Sequence, residues 1–197
     1  MVSIERMTVV FCQASTAKLK LASYQKGIVD AQKDDGGWHC FPSKRGTLDA
    51  WEGMSAFAAL PKERRTRRIN RSIERGAEFF LEKRLYNQGR RYEPWLRFHY
   101  PVHFYYDALV GLDILTDLGY GDDARLAPAL GILGKKRTAR SRWNLDAIQP
   151  DIPPDDPYQS GPPWEPFMPI PFALEKAGRP SKMVTLRALR VLKRVGY

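Results

Sequence analysis

The sequence has little cysteine and no long apolar run in its 197 residues. Two cysteines, Cys12 and Cys40, are too few for the disulfide scaffold of a small secreted protein. No apolar stretch approaches the ~20 residues that a membrane-spanning helix needs. Met7–Cys12 is also too short for the apolar centre of a signal peptide. These absences predict a reduced, cytoplasmic protein without a transmembrane segment.

Positive charge, by contrast, is abundant and unevenly placed. The formal charge is +10, and basic residues cluster within 62–91, 135–142 and 176–194. Such clusters can bind nucleic acid, anionic lipid or diphosphate. They are also typical of the solvated outer faces of helices. No zinc finger, RNA-binding aromatic pattern or helix-turn-helix spacing accompanies them, so the sequence carries no clear nucleic-acid signature.

Apolar periodicity predicts helices and no strand of any length, which makes the fold class all-α. The predicted helices cover residues 18–32, 50–60, 64–86, 102–118, 124–136 and 182–194. Asp49 is predicted to cap the second helix, the pair Asp122-Asp123 the fifth and Ser181 the last. The inward face of the last helix is predicted to carry Met183, Leu186, Leu189 and Leu192.

Two segments fall outside this helical pattern. Residues 1–17 form a poorly defined N-terminal segment. The stretch 149–171 is rich in proline and suits neither a helix nor a central strand. We predict an ordered covering loop there, because its aromatic side chains would be costly to leave in water. The remaining chain, 18–197, is predicted to be one domain of about three helical hairpins.

A compact motif ends the first predicted helix. Gln32 is followed by Gly36, Gly37 and Trp38, and two adjacent glycines allow a sharp turn at a helix end. Trp38 brings a large apolar ring with one N–H donor to whatever lies beside the turn. The amide of Gln32 is placed to bind free backbone groups at a helix end. The motif is therefore interpreted first as a structural packing device.

Tryptophan-bearing loops recur along the chain. Trp38, Trp95 and Trp143 each follow an amphipathic helix and precede a generally more apolar one. The three tryptophans are separated by 57 and 48 residues. Imperfect periods in this range indicate helical repeats, in which each unit buries its apolar face against its neighbours.

The order glutamine, three residues, glycine, one residue, tryptophan resembles the glutamine–tryptophan (QW) repeat of the squalene and oxidosqualene cyclases. The chain looks like the C-terminal part of a bacterial or archaeal prenyltransferase-like or squalene-cyclase-like protein, over roughly residues 25–197. The stretches that carry the resemblance are 34–38, 95–101, 106–118 and 180–194. The resemblance implies an α/α toroid of stacked hairpins. A closed toroid needs more helix pairs than the three visible here, so we expect an incomplete ring and self-association through its uncovered edge helices.

The catalytic motifs of that superfamily are not recognisable here. The cyclases protonate their substrate with an Asp-x-Asp-Asp motif, and this sequence contains only pairs of acids. The prenyltransferases bind zinc through an Asp-x-Cys pair and a distant histidine. Here Asp49 is followed by Trp51 at the cysteine position, and Phe104 stands at the histidine position. Whether the chain is an enzyme stays open, and the activity implied is that of a transferase or cyclase acting on isoprenoid substrates.

Candidate site residues concentrate around the fourth predicted helix. Asp107 lies among apolar residues and needs a partner, such as Arg97 or a tyrosine, if buried. It is the best candidate for a catalytic group, and a structural hydrogen-bond anchor is the alternative. Aromatic faces can stabilise isoprenoid cations. The predicted ligand-binding residues are Trp51, Trp95, Arg97, His99, Tyr100, Phe104 and Tyr105.

A metal site receives little support from the sequence. Its candidate ligands are His39, Cys40, Cys12 and the pair His99 and His103. Pro101 between the two histidines makes a regular helical pair doubtful, and ordinary polar packing explains these residues equally well. The sequence therefore predicts neither a metal nor a cofactor.

Two functional hypotheses follow from these patterns. The first is a prenyltransferase-like or terpenoid-cyclase-like protein that binds an isoprenoid or another apolar ligand in an aromatic-lined cavity. The second is a non-catalytic helical-repeat scaffold that binds a protein or an anionic partner through its basic outer helices. The aromatic residues favour the first, and the missing catalytic motifs favour the second.

Overall fold

A computed structural model describes residues 18–87, 89, 92–102, 105–148 and 175–197, with side chains from Tyr24 onward. This described part is mainly helical, which confirms the coarse prediction of a helical protein. The predicted N-terminal segment 1–17 and covering loop 149–171 lie outside the described residues. No helix in the described ranges has both the length and the apolar character needed to cross a membrane.

The described residues form six α-helices and one small sheet. The helices are α1 (Lys18–Ala31), α2 (Glu52–Ala58), α3 (Arg67–Glu82), α4 (Ala108–Asp117), α5 (Ala127–Lys135) and α6 (Lys182–Arg194). The strands β1 (Trp143–Asn144) and β2 (Pro180–Ser181) pair antiparallel. The chain divides into two compact units after Lys83, called here the N-terminal and C-terminal units.

In the N-terminal unit, α3 packs against both α1 and α2. The Thr66 hydroxyl accepts from the amide of Ile69 and caps α3. The inward face of α3 includes Ile69, Ile73, Ala77 and Phe80, as the apolar spacing predicts. The amphipathic prediction for this helix is confirmed, with ends a few residues inside the predicted range.

The helix α2 is shorter than predicted, and its predicted cap is wrong. It begins at Glu52, and Trp51 stands at the capping position without a side-chain hydrogen bond to the helix. The carboxylate of Asp49 instead accepts from the hydroxyl of Thr47 within the preceding turn. Aspartate competes well for such local turn bonds, which draws it away from the helix end.

In the C-terminal unit, α4 packs against α5 and α6. The predicted start of α4 at residue 102 is wrong, because the helix begins only at Ala108. Asp107 has an extended backbone and its carboxylate accepts from the amide of Val110 at 2.9 Å. The acid that seemed to lie inside a helix is therefore its N-cap. The helix gives way to Gly119 at φ +98°, the glycine predicted to end it.

The inward face of α6 also differs from the prediction. Its buried residues are Val184, Ala188 and Val191, whereas Met183, Leu186 and Leu189 are exposed. Three arginines on one side of α6 pair with Asp113 of α4: Arg187, Arg190 and Arg194. This pairing fixes the rotation of α6 about its own axis, here called its roll. It places the stripe of smaller apolar residues, Val184, Ala188 and Val191, against α4. The Ser181 cap is confirmed by its bond from the Val184 amide at 2.9 Å.

Candidate functional site

The glutamine–tryptophan motif joins the end of α1 to α3. The side-chain amide of Gln32 donates to the carbonyls of Gly36 at 2.8 Å and Ser72 at 2.9 Å. Its side-chain oxygen accepts from the hydroxyl of Ser72 at 2.8 Å. The indole N–H of Trp38 donates to the carbonyl of Ile28 at 2.8 Å. These bonds hold the turn against α1 and α3.

Both glycines of this turn are required by close packing. Gly36 has φ +87°, and a β-carbon there would lie 2.3 Å from the carbonyl oxygen of Arg75. A β-carbon on Gly37 would lie 2.6 Å from the ring of Phe79. The turn therefore brings the backbone against α3 at a distance that only glycine permits.

Asp107 is fully buried, and both of its carboxylate oxygens are occupied. Oδ1 accepts from the amide of Val110. Oδ2 accepts from the backbone amide of His99 at 3.0 Å and from its Nδ1 at 2.6 Å. The partner is therefore His99, rather than the Arg97 or tyrosine considered from the sequence. The carboxylate ties the segment before α4 to the first turn of that helix.

Electrostatics keep this buried carboxyl ionised. Burial raises the pKa of Asp107, but the charge and hydrogen bonds of His99, together with the charge of Arg187, outweigh it and hold the pKa below its usual value. An ionised carboxylate can only accept, so Nδ1 of His99 carries a proton. Among the described residues, no group bonds to Nε2 of His99, although the atom is buried. The structure thus contains an oriented histidine–aspartate pair.

Phe98, which precedes His99, is bonded to a second segment of the chain, around Asp146. The amide of Phe98 donates to the carboxylate of Asp146 at 2.8 Å, and the amide of Asp146 donates back to the carbonyl of Phe98 at 2.9 Å. Lys136 at the end of α5 donates to the same carboxylate at 2.7 Å. Its ammonium lies 5.1 Å from the centre of the Phe98 ring. The segment around residue 98 is consequently fixed against the loop after β1.

An open pocket of about 600 Å³ lies in the C-terminal unit near this segment. Three of its lining side chains are cationic: Arg97, Lys135 and Lys136. Its apolar lining comes from Leu96, Pro128 and Ile132, and Tyr86 and Glu93 complete the polar part. The pocket therefore combines a positive charge with an apolar wall, a combination that suits an anionic amphiphile.

The structure distributes the predicted ligand residues over different environments. Arg97 lines the pocket, whereas Trp95 is buried edge-on against Tyr92 and Tyr106 at 5.3 and 6.0 Å. His99 is buried with Asp107, and Tyr105 packs edge-on against it at 6.3 Å. Tyr100 is half-buried, Trp51 is buried in the N-terminal unit, and Phe104 lies outside the described residues.

Sequence reasoning missed the pocket lysines as ligand candidates. Lys135 and Lys136 belong to a basic cluster that was noted, but the folding of α5 toward Arg97 is not visible in the local pattern. Within the described ranges, no group of three or more histidines, cysteines, aspartates or glutamates could hold a metal ion. Of the metal candidates, Cys12 and His103 lie outside those ranges.

Comparison with known proteins identified no relative. No protein-family model, curated protein or solved structure matches the chain. The resemblance to the α/α toroids therefore depends on the chain's own motifs, above all the turn from Gln32 to Trp38.

Proposed function

We propose that this chain is an α/α-toroid-like helical protein that binds an anionic amphiphile of the isoprenoid diphosphate class. The observation that carries the proposal is the pocket of the C-terminal unit, where Arg97, Lys135 and Lys136 stand beside an apolar wall. Its volume falls in the range of small-molecule sites, about 300 to 1,000 Å³. The proposed function is binding, and the ligand lies closer to α5 than the sequence prediction placed it.

The two halves of such a ligand match the two halves of the lining. A diphosphate accepts hydrogen bonds from guanidinium and ammonium groups, and Arg97 can present two N–H donors to it. Lys136 is held in place by Asp146 at 2.7 Å, so its ammonium is already positioned. The apolar chain of the ligand would contact Leu96 and Ile132.

Binding without chemistry is the version of this function that the site supports. Both oxygens of Asp107 are engaged by His99 and Val110, so this acid has no proton to give to a substrate. The Asp-x-Asp-Asp acid of the cyclases and the Asp-x-Cys pair of the prenyltransferases are both missing from the sequence. An apolar pocket with positioned cations needs neither to hold a ligand.

Titration calorimetry with farnesyl diphosphate, farnesol and inorganic diphosphate tests the proposal. We expect farnesyl diphosphate to bind more tightly than either fragment, because each fragment matches only half of the lining. Arg97→Gln and Lys135→Gln should each weaken binding about ten-fold, since a hydrogen bond to a charged group contributes about 1.5–3 kcal/mol.

The matched control is Arg140→Gln, which removes an exposed cation of the same unit outside the pocket lining. Its affinity for farnesyl diphosphate should equal that of the original protein. Binding that is insensitive to Arg97 and Lys135, or equally tight for inorganic diphosphate alone, would rule out the proposed site.

The scaffold hypothesis keeps one observation in its favour. The outer face of α3 exposes several arginines, among them Arg67 and Arg71. Others are already engaged within the unit, because Arg68 pairs with Asp30 and Arg75 donates to the carbonyl of Lys33 at 2.7 Å. Replacing Arg67 and Arg71 with glutamine would abolish binding of an anionic macromolecule on this hypothesis, while farnesyl diphosphate binding would be unchanged.

A further inference from the structure

The helix α6 carries two apolar stripes, and the bulkier one faces outward. Val184, Ala188 and Val191 are buried in the C-terminal unit. Met183, Leu186 and Leu189 recur at every third residue and are 40%, 53% and 48% exposed. Single exposed apolar residues are ordinary, but three successive ones on one side of a helix form a patch that indicates an interaction surface.

Positive charge lies on the same side of the helix. At about 100° per residue, Lys182 and Lys193 point in nearly the same direction as Leu186 and Leu189. We call the surface formed by Lys182, Met183, Leu186, Leu189 and Lys193 the outer face of α6. All five residues are exposed.

The described carboxylates that contact α6 are engaged by groups other than the lysines of this face. Within the described ranges, no carboxylate forms an ion pair with Lys182 or Lys193. Asp113 pairs with three arginines of α6. Glu175 accepts from the backbone amides of Lys182 and Met183 and so occupies the N-terminal end of the helix. The outer face therefore combines aliphatic side chains with two lysines that have no ion-pair partner in the described part of the chain.

We propose that the outer face of α6 binds an anionic membrane surface. Aliphatic residues with interspersed lysines are typical of helices that lie in the plane of the lipid headgroups. Lysine stems can follow the aliphatic side chains into the boundary while their ammonium groups meet lipid phosphates. Each basic residue near an anionic bilayer adds about 1 kcal/mol of attraction.

Other occupants fit this surface less well. The buried centre of a protein interface is depleted in lysine, whereas here lysines point the same way as the leucines. A second copy of the chain, docked through the same face around a two-fold axis, would bring like charges together. A bilayer supplies both an apolar layer and negative charge, without burying the lysines in a protein interface and without bringing like charges together.

Vesicle sedimentation with the full chain tests this surface. The probes are vesicles of phosphatidylcholine alone and vesicles in which phosphatidylglycerol replaces about a third of the lipid. We expect binding to the anionic vesicles that weakens as salt is added. The double variant Lys182→Gln/Lys193→Gln should lower the partition coefficient about 25-fold, at about five-fold per charge. Leu186→Gln/Leu189→Gln should also lower it at least ten-fold.

Two controls match these variants in charge and in apolar area. Arg140→Gln/Arg142→Gln removes two exposed cations elsewhere in the C-terminal unit, and Phe41→Ser removes a 73% exposed aromatic ring of the N-terminal unit. Each control should bind vesicles within about two-fold of the original protein. Circular dichroism establishes that all variants are folded, which is expected because the substituted side chains are exposed.

Three results would overturn the proposal. The first is that the protein binds anionic and phosphatidylcholine vesicles equally well. The second is that the α6 variants and the controls lose vesicle binding to the same extent. The third is a dimer in sedimentation equilibrium that dissociates on Leu186→Gln/Leu189→Gln, which would assign the face to a second copy. The inference is independent of the ligand pocket: Lys135→Gln should weaken farnesyl diphosphate binding and leave vesicle binding within about two-fold of the original protein.

Discussion

The indole N–H of Trp143 donates to the carbonyl of Leu133, ten residues earlier, at 2.7 Å. Trp38 makes the equivalent bond to Ile28 in the N-terminal unit, again across ten residues, at 2.8 Å. Both indoles are buried, and each follows a helix whose carbonyl it binds. The same local device therefore closes α1 in one unit and α5 in the other.

Each tryptophan turn is also tied to a later helix of its own unit. Near Trp38, the side chain of Gln32 bonds to Ser72 of α3 across 40 residues. The backbone amide of Trp143 donates to the hydroxyl of Thr185 of α6 across 42 residues. Trp95 differs, because it lies in a short 3₁₀ turn, Glu93–Leu96, and packs between tyrosines. The predicted three-fold rhythm thus has two members of shared geometry.

Replacing either of the two paired tryptophans with phenylalanine should destabilise the protein. Trp38→Phe deprives the Ile28 carbonyl of its donor, and Trp143→Phe does the same for Leu133. A buried polar group left without its partner costs about 1–3 kcal/mol of unfolding free energy. Urea denaturation followed by circular dichroism measures this loss. Phe41→Leu, at a 73% exposed site, should change the free energy by less than about 0.5 kcal/mol. A Trp38→Phe or Trp143→Phe protein with the same free energy of unfolding as the original protein would contradict the role assigned to these two indole bonds.

Local patterns predicted the helical class and the tryptophan turn, since a Gly-Gly step and an apolar period are readable within a few residues. The beginning of α4 was not readable in this way. Residues 102–106 have the apolar and aromatic composition of a buried helix, and the partner of Asp107 is His99, eight residues upstream. Only the folded chain shows that the aspartate bonds backwards to a loop and forwards to Val110, which makes it a cap.

Alanine substitutions should distinguish a glycine that close packing requires, Gly36, from one that the packing does not require, Gly131. Gly36→Ala places a β-carbon 2.3 Å from the Arg75 carbonyl at a positive φ, so we expect a loss of more than about 1 kcal/mol. Gly131→Ala lies within α5, and nothing described stands within 4 Å of its β-carbon. Alanine there should stabilise by about 0.5–1 kcal/mol, because glycine is a poor helix former. Thermal unfolding of both variants measures the contrast, and a stabilised Gly36→Ala protein would refute the close approach.

The roll of α6 shows a second limit of sequence reasoning. Both Met183-Leu186-Leu189 and Val184-Ala188-Val191 have helical spacing, and residue size favours the first set as the inward one. The choice is made instead by Asp113, a residue of another helix that lies 74 positions before Arg187, the nearest of its arginine partners. Such a non-local ion cluster leaves no mark on the periodicity of either helix.

Removing the Asp113 carboxylate should loosen α6. Arg194 bonds to it at 2.7 Å, and Arg187 and Arg190 lie at 3.4 and 3.3 Å. We expect Asp113→Asn to lower the unfolding free energy by about 1.5–3 kcal/mol, because the carboxylate is largely buried and its hydrogen bonds are charged. Asp117→Asn is the matched control, since that acid pairs with Arg194 at a more exposed site and should cost less than about 1 kcal/mol. Urea denaturation compares the two, and a larger loss in Asp117→Asn would contradict the role of Asp113.

Asp107→Asn should destabilise the protein in a pH-dependent way. The pKa of Asp107 is lower in the folded chain than the ~3.9 expected when unfolded, so ionisation contributes stability above that value. That contribution is lost as the pH falls through the folded pKa. Asparagine also presents an amide where His99 offers two donors. At neutral pH we expect a loss of about 3 kcal/mol, typical of breaking a buried pair.

The loss of unfolding free energy caused by Asp107→Asn should become smaller as the pH falls below about 4. Protonation of Asp107 then removes the same interaction from the original protein. Urea denaturation between pH 3 and 7 measures this pH dependence. The control is Asp122→Asn, at an exposed site, whose effect on the unfolding free energy should not change with pH. The affinity of folded Asp107→Asn for farnesyl diphosphate should equal that of the original protein, since this residue does not line the pocket. A loss of binding without a loss of stability would instead make Asp107 a ligand-binding group and refute its role as an anchor.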